Sequence, residues 1–276
     1  MDRIAQTNIQ LYNQLRGQAR SEAELRLVHK AYEVCVAVYA GRFQADGKPF
    51  IAHCVGVASA VALLGRPADV VAAALVHNAY GNGDFGDGRL NEVTGSRRRY
   101  MREALGERIE SMLLRFRSFR VRPETIASLN ARLDGLTEVE RDLILIDLAD
   151  KLDKYTDLGV RYFTVNEWAT GEIVQCGDEF IALAKRLGYP ALAEQMAADF
   201  KAAAEADVPG FMHPDDGRIV SEIVAPLSTL TKPWLYPFIW RELLRRKLRL
   251  RSRLRKAKAA LLALVGQAPR HRSVGG

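Results

Sequence analysis

Apolar residues return every three or four positions along most of the first 225 residues, the period of amphipathic helices rather than of strands. Residues 7–40 carry this spacing, with Leu25, Val28, Ala31, Tyr32, Cys35 and Val36 as one buried stripe. GRFQADGKPF interrupts it through Gly41, Gly47 and Pro49. A second helix is predicted from about 51 to 64, ending at Gly65. Pro67 suits the first turn of a third, about 67–80, which the glycines of YGNGDFGDG end. Helical patterns recur at about 96–119, 123–133, 137–159, 177–188, 190–206 and 215–224. No segment alternates convincingly, and the apolar run LILIDLA lies inside a longer helical pattern. The expected class is all-α with short connections: a helical domain over 1–225 and an appendage over 226–276.

Charge is distributed unevenly. Residues 241–258, RELLRRKLRLRSRLRKAK, hold ten Lys/Arg against Glu242, a local +9, and Arg270 and Arg272 add two more. Subtracting that +11 from the total of +7 leaves residues 1–240 at −4. The body is mildly acidic and the basic balance belongs to the tail. Three cysteines at wide spacing, Cys35, Cys54 and Cys176, disfavour a disulfide framework and a zinc ribbon. Cys54 reads as a buried thiol rather than a ligand, because it points about 100° away from His53 on a helix. The polar N-terminus has no leader-like apolar run, and no stretch approaches a spanning segment, so a cytoplasmic location is expected.

Three residues stand where apolar side chains are the rule. His53 opens the second helix, His77 closes the apolar AAALVH, and Asp150 interrupts LILIDLADKLDKY. A polar group in such a setting is normally paired or bound. Two imidazoles and a carboxylate converging from separate helices suit one divalent ion such as Mn²⁺, Fe²⁺, Co²⁺ or Zn²⁺. Singly, each has a plainer reading: a hydrogen-bonded helix end for a histidine, or an ion pair of Asp150 with Arg141, Lys151 or Lys154.

The order of these residues resembles the HD superfamily of metal-dependent phosphohydrolases, which carry a His, an adjacent His-Asp pair and a distant Asp. The local match is to guanosine tetraphosphate hydrolases, whose segments read like R…G-x-P-Y-I-x-H-P-x-x-V-A, A-x-L-L-H-D and K-L-A-D-R-L-H-N. Here stand Arg42 with Gly47-Lys48-Pro49-Phe50-Ile51-Ala52-His53 and Val57-Ala58, then Ala73-Ala74-Leu75-Val76-His77-Asn78, then Asp147-Leu148-Ala149-Asp150-Lys151-Leu152-Asp153-Lys154. The similarity spans roughly residues 25–160. It implies an HD-like helical bundle, His53, His77, Asn78 and Asp150 around the metal, and Arg42 facing an anionic substrate near the pocket entrance; a surface loop arginine is the other reading of Arg42.

Asn78 departs from the pattern. The family's carboxylate there helps hold the metal and bridges both ions in two-metal members. An amide brings an oxygen without charge, so one ion rather than two is expected. The acidic pair that follows in guanosine tetraphosphate hydrolases is replaced by Ala79-Tyr80-Gly81-Asn82-Gly83-Asp84-Phe85-Gly86, so hydrolysis of that nucleotide is not carried over. In this glycine-rich loop, Asp84 reads either as a substitute ligand or general base, or as a solvated turn residue. Tyr80 either meets substrate or packs.

The expected function is a hydrolase in which a metal-activated water attacks a phosphorylated or anionic small molecule, with Asp84 or Asp153 positioning or deprotonating the nucleophile. Two alternatives stand beside it, an HD-like binding or scaffold protein without chemistry and an iron oxygenase. His29, His213 and His271 lie outside the pattern. In the tail, PWLYPFIW precedes the arginine run, and Leu243, Leu250, Leu254, Ala257, Leu261 and Leu264 share one helical stripe. That composition over 233–265 suits peripheral contact with an anionic membrane surface. Packing on protein and binding of nucleic acid are the alternatives, the last without any known reading module.

Overall fold

The computed structural model describes residues 3–89, 91–162, 166–209, 212 and 222–223, with the backbone alone over 166–174 and 222–223. The chain divides into two units, Met1–Val224 and Ala225–Gly276. The basic tail, its 233–265 stretch and the membrane contact expected of it lie outside the described residues, as do His213 and His271. Among the described residues the protein is helical almost throughout, the all-α class expected. No described helix is long and apolar enough to cross a membrane.

The helices are α1 (Asn8–Gly17), α2 (Glu22–Tyr39), α3 (Phe50–Leu63), α4 (Ala68–Leu75), α5 (Ala79–Asn82), α6 (Gly95–Leu105), α7 (Glu107–Ser118), α8 (Pro123–Ala131), α9 (Glu138–Tyr155), α10 (Asn166–Arg186) and α11 (Pro190–Glu205). Two-residue strands β1 (Arg42–Phe43) and β2 (Glu222–Ile223) pair antiparallel. Residues 222–223 were expected at the end of a helix and join this ladder instead.

Capping chemistry divides the periodic segments more finely than hydrophobic spacing does. The segment 7–40 is two helices: Ala19 takes a positive φ of 55°, and Ser21 with Glu24 forms a capping box that starts α2. Within α2 the buried stripe is Val28, Ala31, Val34, Cys35, Val38 and Tyr39. Val36, assigned to it from sequence, is 36% exposed. The segment 96–119 breaks at Gly106, whose φ of 89° ends α6 and begins α7. Thr137 and Glu140 form the capping box of α9. That helix stops at Tyr155, short of the expected 159, because Asp157 and Leu158 adopt left-handed backbone.

The core centres on α9, which packs against α3, α7, α10 and α11. Every residue from Asp142 to Asp153 is buried, so this helix carries its charged side chains inside the molecule. Helix α3 is nearly as enclosed, with His53 through Ala62 buried continuously. A buried charge is tolerated only where partners compensate for its lost hydration. The partners of α9 converge on one place.

Candidate metal centre

His53 lies in the first turn of α3, where its ring is held between Phe50 and His77 with centroid distances of 5.5 and 5.4 Å. His77 occupies the turn between α4 and α5 rather than the end of a longer helix. The expected helix over 67–80 stops at Leu75, and Asn78 precedes the short α5 that follows without a capping bond from its side chain. This break turns the His77 ring inward, edge-on to Phe116 at 5.4 Å. Asp150 projects from the middle of α9 and is wholly buried.

One atom from each meets the others. His53 Nε2 lies 3.0 Å and His77 Nε2 3.4 Å from Asp150 Oδ1, and the three ligand atoms fall within 4.8 Å of one another. None of the three makes a properly directed hydrogen bond. Ligand atoms about 2.1 Å from a shared ion lie about 3.0 Å apart at octahedral angles and about 3.4 Å at tetrahedral ones. The two separations to Asp150 Oδ1 fall at those values.

The other polar atom of each residue is already committed. His53 Nδ1 contacts Asp153 Oδ2 at 2.7 Å, and both Asp153 oxygens accept from Lys48 Nζ at 2.8 Å. His77 Nδ1 lies 2.7 Å from the Ala74 carbonyl. With acceptors behind both Nδ1 atoms, each neutral ring carries its proton there and turns the lone pair of Nε2 to the common point. Asp150 Oδ2 accepts from Arg120 at 3.0 Å and Lys154 at 2.9 Å. Gly56, one turn after His53, makes room for this backing: a Cβ there would come within 1.8 Å of Asp153 Oδ1.

The electrostatics separate the two imidazoles. Burial depresses the basicity of His53, but Asp150 and Asp153, one at each ring nitrogen, outweigh it and raise its pKa. Burial lowers that of His77, and Asp150 alone does not offset it. Burial disfavours the Asp150 carboxylate, yet Lys154, the two histidines and Arg120 hold its pKa well below the ordinary range. Asp153 is lowered too, with His53 and Lys48 overcoming its burial.

The remaining sequence candidates fall elsewhere. Asp153 is a buried carboxylate behind His53, enclosed by Lys48. Asp84 is exposed and accepts the Gly86 N–H at 2.8 Å, closing its own turn away from the triad. Arg42 is 5% exposed in β1 and is absent from the cleft described below, so no substrate-facing position is seen for it. Tyr80 lines the cleft, but its hydroxyl donates to Glu110 at 3.0 Å. Asn78 Oδ1 lies 3.4 Å from an Arg120 donor, which engages the oxygen expected to face a metal. Of the cations proposed for Asp150, Lys154 pairs with it, Lys151 faces Asp147 at 3.6 Å, and Arg141 caps the Leu133 carbonyl.

Arg120 escaped the sequence reading. Its guanidinium stacks over Phe116 at 4.7 Å and reaches Asp147, Asp150 and Asn78 together. The available signal was RFRSFRVR over 115–122, a dense basic run just before Pro123 that begins in the last turn of α7 and continues past its end. Beside the triad opens a cleft of about 150 Å³, lined by His77, Asn78, Tyr80, Gly81, Asn91, Leu113, Arg117, Arg120 and Arg122. His77 belongs to both cleft and triad.

A family model described as "Domain of unknown function (DUF6817)" matches residues 34–120, a stretch that contains His53, His77 and Asn78 but not Asp150. Among curated proteins, none matches the chain.

Proposed function

We propose that the protein is a metal-dependent hydrolase with a mononuclear centre of His53, His77 and Asp150, acting on a phosphorylated or otherwise anionic small molecule. The observation that carries this reading is the convergence of three buried ligand atoms without hydrogen bonds, each held from behind by a group that fixes its direction. Lone pairs and a carboxylate oxygen at 3.0 to 3.4 Å repel unless a proton or a metal cation lies between them, and a single ion would serve both contacts at once. A bound divalent ion would supply that charge, lower the pKa of a coordinated water and polarise a phosphoryl oxygen. Lys48, through Asp153, orients His53. Arg120 and Lys154 hold Asp150 with one oxygen directed inward. The ligand order and its similarity to the HD pattern support the same assignment, and two imidazoles with one carboxylate fit Mn²⁺, Fe²⁺ or Zn²⁺.

A second reading, an HD-like binding protein without chemistry, draws support from one contact set. Arg120 engages Asn78, and with Lys154 it neutralises the outer oxygen of Asp150. The first occupies an amide oxygen that a cation would use, and the second reduces the negative charge offered to it. Elemental analysis of the purified protein, combined with a phosphoester panel supplemented with Mn²⁺, Fe²⁺ or Zn²⁺, separates the two. The hydrolase reading expects about one metal per chain and turnover that His53→Ala and Asp150→Ala abolish. Absence of stoichiometric metal, with no turnover under any supplement, sinks it.

A further inference from the structure

The cleft beside the triad has a one-sided lining. It contains three guanidinium groups, two asparagines and His77, and no carboxylate. Arg120, at its inner end, is committed to Asp147 and Asp150. Arg117 and Arg122 are exposed and have no carboxylate partner among the described residues. Arg117 is nonetheless held in place: it donates to the Asn91 carbonyl at 2.9 Å and to the Tyr80 carbonyl at 3.4 Å. Those are neutral acceptors, so its charge stays uncompensated, and a guanidinium has five donors of which these use two. Asn91 itself adopts a φ of 52°, the left-handed backbone that asparagine tolerates, which turns its carbonyl toward Arg117.

We propose that Arg117 and Arg122 form an anion-binding subsite for a phosphoryl-type dianion, with the bridging end of the ligand toward His77. The proposal rests on the metal-centre reading for its place in the reaction, but not for its existence as a binding site. The volume narrows the ligand. About 150 Å³ is well below the ~300 Å³ at which pockets begin to enclose drug-sized molecules. The cleft therefore takes an anionic head group and leaves the rest of the ligand in solvent. Arginine suits the task, since its planar donors meet two phosphoryl oxygens at once. The subsite selects for charge at one end of the ligand and is indifferent to what that end is attached to.

Isothermal titration of inorganic phosphate and pyrophosphate, into protein as purified and after metal chelation, tests the subsite. Chelated wild-type protein should bind pyrophosphate more tightly than phosphate, and binding should weaken steeply with salt. The double variant R117Q/R122Q should weaken pyrophosphate binding at least about tenfold, with metal content unchanged. R117K/R122K keeps the charges but not the paired donors and should fall between the two. His53→Ala should lose metal yet bind pyrophosphate within about twofold of chelated wild type, so failure of the metal reading is seen separately. The proposal is overturned if chelated wild type binds neither anion, or if R117Q/R122Q binds pyrophosphate as wild type does.

Discussion

Two buried arginine clusters in this fold differ in a way that separates structure from chemistry. Around Arg97, 1% exposed, all three guanidinium nitrogens donate. Its Nε meets Asp87 at 2.8 Å, its terminal nitrogens reach Asp87 and the carbonyls of Glu92 and Arg89, and its face covers Phe85 at 4.7 Å. The glycine-rich loop is wound around this side chain. Around Arg120, Asp150 and the two histidines, the outer Asp150 oxygen accepts from Arg120 and Lys154, but His53 Nε2, His77 Nε2 and Asp150 Oδ1 face one another without directed hydrogen bonds. A closed cluster stabilises a loop; an open one with a rigid backing is arranged for something that is yet to bind.

The strongest way to break the comparison is Asp150→Ala. It removes the one carboxylate shared by both histidines, Arg120 and Lys154, so metal content should fall to background. Stability should drop by about 3 kcal/mol, the lower part of the range for breaking a buried pair, because the two cations are about 20% exposed. Elemental analysis and urea unfolding read the two effects.

Next in size is the backing of His53. Asp153→Asn should weaken metal binding about 10- to 100-fold while leaving anion binding in the cleft unchanged. Gly56→Ala should do the same by another route, since its Cβ and Asp153 Oδ1 cannot share 1.8 Å. Competition against a fluorescent chelator measures both, and unaltered affinity in Gly56→Ala would mean that α3 and α9 move apart at little cost.

The closed cluster should respond in the opposite sense. Arg97→Met is expected to cost about 2 kcal/mol of stability and leave metal content unchanged. Metal lost in Arg97→Met would join the two clusters into one functional unit.

A pH series sharpens the same contrast. Asp87 is depressed to about 2, chiefly by its hydrogen bonds to Arg97. A carboxylate lowered in the folded state contributes fully above its ordinary pKa and loses that contribution as pH falls through the folded value. The stability gap between wild type and Asp87→Asn should therefore be widest at pH 5 to 7 and close toward about pH 2. Urea midpoints at several pH values would show it, and a gap that widens in acid would contradict the assignment. The smallest effect belongs to Asp84→Ala. With its carboxyl on Gly86 at the surface, metal and anion binding should stay at wild-type levels and stability within about 0.5 kcal/mol.

Much of this was legible before any coordinates. Helix class follows from apolar spacing, whereas the starts at Ser21 and Thr137 are set by capping boxes with Glu24 and Glu140 that apolar spacing does not register. His53, His77 and Asp150 stood out because each interrupts an apolar run, and burial makes an unpaired polar group costly wherever the chain folds. Less legible were the roles of polar residues in polar surroundings. Nothing local distinguishes Asp84, which turns outward, from Asp153, which turns inward behind His53. Gly56 looked like a weak helix residue until the side chain opposite it was known.

By itself, then, the sequence determined the all-α class and which three side chains required a partner, since periodicity and desolvation act over a few residues or on one residue at a time. Only the tertiary structure decided who the partners are. Lys48 lies 105 positions from the carboxylate that it holds, and Arg120 lies 30 from Asp150. Such pairings depend on how α3, α7 and α9 come together, and the direction in which a lone pair or a guanidinium points exists only once they have.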